Sequence, residues 1–105
     1  MAGLIEVGDE GWSASSWLFR WVLTRLADDA GLEQQLQSTL REIVEENLGW
    51  FSLEELGPAD RSMVRSWLAD LLVADADARL PIGLAERDAV LAYLAELAEL
   101  AADGR

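Results

Sequence analysis

The stretch Leu4-Ile5-Glu6-Val7-Gly8-Asp9-Glu10-Gly11-Trp12-Ser13-Ala14 decides whether this chain holds anything besides helix. Leu4 to Val7 read as a short apolar lead-in, extended or irregular, and Gly8-Asp9-Glu10-Gly11 as a turn. Ser13 is a good N-cap, because its hydroxyl can accept from the free amides of a first helical turn. The spacing predicts a first helix over about 14–29, stopped before Gly31.

Outward from there, the chain reads as helix punctuated by glycine and proline. Helix two is expected over 32–48. Leu32, Leu36, Leu40, Ile43 and Val44 share its apolar face, Leu48 extends it, and Gly49 lies past its end. Ser52 with Glu55 forms a capping box for one helical turn over 53–56. Pro58 suits the first position of helix three, expected over 58–78 with Met63, Val64, Trp67, Leu68, Leu71, Leu72 and Ala74 inward. Pro81 and Gly83 end it. Helix four is expected over 84–102, with Val90, Leu91, Leu94, Leu97, Ala98 and Ala101 inward. No segment alternates with period two for long enough to build a sheet. The expected fold is all-α: a single helical domain over 1–105, a compact four-helix bundle with a short helical turn between helices two and three.

Composition narrows the function classes. The chain has no lysine, histidine or cysteine, and its 20 acids face 8 basic residues, all arginine, for a net charge of −12. Each half of the chain carries −6, so the surplus belongs to the folded surface and not to a tail. Arginine-only basic usage with abundant Ala and Leu fits a bacterial protein from a GC-rich genome. The start, Met1-Ala2-Gly3-Leu4-Ile5-Glu6, lacks the basic and long apolar parts of a signal peptide, so a cytoplasmic protein is expected. Such a surface repels nucleic acid and anionic membrane and attracts basic partners.

The missing residue types remove Ser-His and Cys-His pairs, Schiff-base lysine, thiolate zinc sites and disulfides. A glycine-rich phosphate loop is absent too. No enzyme activity, no catalytic residue and no cofactor are expected. The weak metal candidate is Asp75, Asp77 and Glu86, where Glu86 is the twelfth position from Asp75 and the spacing partly resembles an EF-hand loop. Arg79 stands at the fifth position and Leu80 at the sixth, where an oxygen ligand and a glycine belong. The alternative is an ordinary helix end, with Asp75 pairing to Arg79 one turn on. The run Val73-Ala74-Asp75-Ala76-Asp77 to Glu86-Arg87 also resembles the acidic inter-helix segment of tellurite-resistance-type helical domains, without the glycine after the first aspartate. That resemblance implies a metal-responsive helical domain and carries no residue role over.

Two surfaces are candidates for partner binding. Trp17 and Trp21 fall opposite the apolar side of helix one, among Arg20, Thr24, Arg25 and Asp28. Tryptophan beside arginine on an exposed face is a frequent hot spot. The structural alternative is that Trp12 staples onto Trp17 and that neighbours cover Trp21. The second surface is acidic: Glu42, Glu45 and Glu46 on helix two, joined by Glu54 and Glu55 if the connector folds back.

The expected function is a small acidic protein-binding module, an inhibitor, neutraliser or chaperone of a basic nucleic-acid-binding or toxin-like protein. In size, acidity and lack of catalytic groups the chain is similar to immunity proteins of nuclease toxins, phage-encoded inhibitors and secretion chaperones. The alternative is a structural or oligomeric subunit, a homodimer through helix four flanked by Tyr93 and Leu100.

Overall fold

In the computed structural model residues 2–103 are described; Met1, Gly104 and Arg105 of the domain read over 1–105 lie outside them. From Gly3 to Val7 the residues alternate between buried and half-buried. That is the period of a strand, not of a helix. β1 (Ala2–Val7) turns through Gly8-Asp9 into β2 (Glu10–Ser15), antiparallel with Val7 opposite Glu10. A tight two-residue loop that matches strand twist needs positive φ at its first position, the type II′ pattern, and Gly8 supplies +62°.

The all-α four-helix bundle is therefore corrected to a mixed α/β fold. Among the described residues, a three-stranded sheet of order β2-β1-β3 packs with five α-helices. β3 (Trp50–Ser52) lies parallel to β1, with Leu4 opposite Trp50 and Ile5 opposite Phe51. Ser13 sits inside β2 and is not an N-cap. The first helix, α1 (Ser16–Asp29), starts after Ser15, whose side chain makes no capping hydrogen bond. The ladder wins because Trp12 and Ala14, two residues apart, both bury on one face of β2.

Trp12, Ile5 and Phe51 line up across the three strands, and all are buried. The sheet packs against α1, which buries Leu18, Phe19, Val22, Leu23, Leu26 and Ala27. Each large apolar side chain removed from water in this way contributes about 1.5–3 kcal/mol before entropy is counted. Gly3 lets the layers approach: a Cβ at position 3 would lie 2.1 Å from Cγ of Phe19.

The second helix, α2 (Gln34–Glu45), stops three residues before the predicted end at 48. Asn47 takes the left-handed conformation at φ 54°. Its amide donates to the Val44 carbonyl at 3.3 Å and the Leu48 amide to the Ile43 carbonyl at 3.1 Å. This is a Schellman motif, which satisfies the last carbonyls and turns the chain out of the helix. Leu48 therefore leaves the apolar face, 60% exposed, and Gly49 at φ 71° leads into β3. Ser52 does cap the following turn, a 3₁₀ turn over Leu53–Glu55, accepting from the Glu54 amide at 3.2 Å.

The single helix expected over 58–78 is two segments, α3 (Pro58–Asp70) and α4 (Leu72–Arg79), broken at Leu71. The buried face becomes Val64, Trp67, Leu68, Leu72 and Ala76, while Met63, Leu71 and Ala74 are exposed. The last helix, α5 (Arg87–Asp103), starts three residues later than expected and buries Leu94, Leu97 and Ala101. Its Tyr93 stacks on Trp12 with ring centroids 5.1 Å apart. The Trp12 indole donates to the Tyr93 carbonyl at 3.0 Å, and the Tyr93 hydroxyl donates to the Ser13 carbonyl. Among the described residues no helix is long and apolar enough to cross a membrane.

Gly3→Ala tests the contact between sheet and α1. A methyl forced against Phe19 is expected to lower stability by about 1–3 kcal/mol in urea unfolding. A midpoint equal to wild type would contradict the close approach.

Candidate functional site

The two candidate surfaces divide once the fold is formed. On α1, Trp17 is 48% exposed and Arg20 is exposed, with no hydrogen bond or ion pair for Arg20 among the described residues. Trp21 is half-buried against the core. Trp12 is in β2 and under Tyr93, so the Trp12–Trp17 staple does not form. Arg25 is turned inward. Its guanidinium donates twice to Asp75 of α4, at 2.9 and 3.0 Å, and lies 3.6 Å from Asp29.

The Arg25–Asp75 pair is a clamp between α1 and α4. The two side chains are only 14% and 10% exposed, so water competes little for either. Hydrogen bonding from Arg25 holds the Asp75 carboxyl below its ordinary value; burial opposes this, and Arg79 at 3.0 Å adds to it. The same hydrogen bond raises Arg25. The metal candidate is not assembled by this geometry. Asp75 is engaged by two guanidinium groups, and Asp77 lies on α4 with Arg87 at 3.3 Å. Glu86 sits outside the helices at φ 58°. Among the described residues no group of three His, Cys, Asp or Glu side chains is placed to hold a metal ion.

On the acidic side, Glu42, Glu45 and Glu46 are exposed and form no ion pair among the described residues. Glu54 is spent inside the fold. It accepts from the Gly8 amide at 3.1 Å and lies 3.8 Å from Arg61. Glu55 takes a different place, on the wall of a groove of about 380 Å³ between α2 and the β3–3₁₀ segment. The acids it shares that groove with are Glu33 and Asp60, and not Glu42, Glu45 and Glu46.

Residue counting along the chain had no access to this groove. It exists because the Schellman turn brings β3 back beside β1, which sets Trp50 and Phe51 opposite the Leu36–Ile43 face of α2. Trp50 is 43% exposed, and its indole donates to the Glu6 carboxylate at 2.6 Å across the sheet. The one signal in the sequence was the Trp50-Phe51 pair in a connector, where apolar aromatics have no helix to bury on.

The arginines show a pattern of their own. Arg25, Arg41, Arg61, Arg79 and Arg87 each pair with a carboxylate of the same chain. Arg41 reaches Asp28 at 2.8 Å, joining α2 to α1, and Arg87 reaches from α5 to α4. Arg61 donates to the carbonyls of Leu53 and Leu56 and so ties α3 to the turn before it. Most of the positive charge is thus used within the fold. No family model, curated protein or solved structure matches the chain.

Asp75→Asn tests the clamp. A carboxyl held below its unfolded value adds stability that is present above that value and lost as pH falls through the folded one. Wild type is expected to exceed the variant by about 1–3 kcal/mol at pH 7, with the gap shrinking below about pH 4. Parallel unfolding series in urea from pH 7 to pH 2 measure it; a gap that stayed constant to pH 2 would contradict the clamp.

Proposed function

We propose that this chain is a small acidic binding module that inhibits, neutralises or chaperones a basic protein partner. The observation that carries the proposal is the split between charges. The arginines are largely consumed by internal pairs, while the carboxylates of Glu33, Glu42, Glu45, Glu46, Glu55 and Asp60 have no partner among the described residues. The field around the molecule is therefore that of a net −12 chain with its negative charge outward. Such a field speeds encounter with a basic surface and disfavours nucleic acid and other acidic proteins. It can occupy a surface that otherwise takes phosphate.

Trp17 with Arg20 on α1 would add an apolar anchor at a second place on the surface. The reading as a homodimer through the last helix has less to draw on. Tyr93, one of the residues flanking that face, is half-buried and already engaged by β2.

Affinity capture from a lysate of the source organism, at low salt and again at high salt, tests the proposal. The expected partner is a protein of high isoelectric point whose association rate falls at least about tenfold as salt rises. A partner that is acidic, or that is held equally at both salt levels, would overturn the electrostatic reading.

A further inference from the structure

We infer that the groove between α2 and β3 seats an arginine side chain from an arginine-rich segment of the partner. The inference rests on the reading of the chain as a binder of basic proteins and names the place and the chemistry. The groove has an apolar lining formed by Ile43, Trp50 and Leu56 over buried Leu36 and Phe51. The ionisable residues among its lining are Glu33, Glu55 and Asp60, and none of their three carboxylates has a hydrogen-bond or ion-pair partner among the described residues. A lining that combines apolar side chains with unpaired carboxylates matches a side chain that is apolar along its stem and cationic at its tip.

Size and charge select among occupants. About 380 Å³ lies at the low end of small-molecule sites, room for one or two side chains and too little for a dinucleotide. Phosphate-bearing ligands meet three carboxylates and no lining cation. A second copy of this chain brings another −12 to the contact. Arginine fits better than lysine for two reasons. Its planar guanidinium can bridge two carboxylates, and it stacks on an indole face. Trp50 lines the groove with an indole already fixed at one edge by Glu6.

The test compares two variants that lose the same charge. One is E33Q/E55Q/D60N, in the groove. The other is E42Q/E45Q/E46Q, at the C-terminal end of α2 and outside the groove. The probe is a fluorescein-labelled hexa-arginine peptide, followed by anisotropy at low salt, with hexa-citrulline as the neutral control and circular dichroism to check the fold. The groove variant is expected to bind hexa-arginine about tenfold more weakly than wild type, and the α2 variant less than about twofold. Trp50→Leu is expected to weaken binding severalfold with the charge unchanged. Equal weakening by both triple variants, or no effect of Trp50→Leu, would overturn the groove while leaving an acidic binder of basic proteins in place. Absence of any binding of wild type to hexa-arginine would overturn both.

Discussion

The backbone of β1 must be paired on both sides, and the rest of the architecture depends on that requirement. A strand whose Ile5 and Val7 are buried has its amides and carbonyls out of reach of water. The hairpin partner β2 satisfies one edge. The other edge has to be met from a distance, and Gly49 with β3 meets it: the Leu4 amide donates to the Gly49 carbonyl at 2.9 Å. That pairing sets where α2 must end, because the chain has to leave the helix in time to return beside β1. The Schellman turn at Asn47 performs this exit. The groove is the space left between the departing helix and the returning strand.

Charge is used in two different ways in this molecule. Several acid–arginine pairs join different elements, α1 to α4, α1 to α2, and α4 to α5, while Arg25–Asp29 and Arg79–Asp75 stay within one helix. Exposed or half-exposed pairs add little each, and the Arg25–Asp75 pair is costlier to break because removing one partner leaves the other charge shielded and uncompensated. Where an acid meets no arginine, it stays at the surface and sets the external field. The same residue types therefore serve cohesion in one place and recognition in another. Glu54 and Glu55 show the division within two adjacent residues: the first bonds Gly8 and Arg61, and the second lines the groove.

The helices were legible in the sequence because a 3.6-residue apolar period is strong over three or more turns. The Leu36–Leu40 face of α2 emerges as read. The strands were not, for reasons that differ. β2 is built from Glu, Gly, Trp, Ser and Ala, so its alternation shows only at Trp12 and Ala14, and Ser13 stands where a helix cap belongs. β3 is three residues long and pairs with a strand more than forty residues away, which no local pattern reports. The best available signal was Gly8-Asp9, a two-residue turn between Ile5-Glu6-Val7 and the strand that carries Trp12 and Ala14, a hairpin signature. The break at Leu71 has no proline or glycine to announce it. For the site, acidity was readable and location was not, because Glu33, Glu55 and Asp60 converge only through tertiary packing.

The pairing of β1 with β3 is the claim on which the fold and the groove both stand. Amide hydrogen exchange followed residue by residue by NMR reads it directly. The account predicts that the Leu4 amide is protected to a degree comparable with Val22 and Leu23 in the middle of α1. A Leu4 amide that exchanges at the rate of an open chain, while α1 stays protected, would contradict the sheet and remove the groove with it.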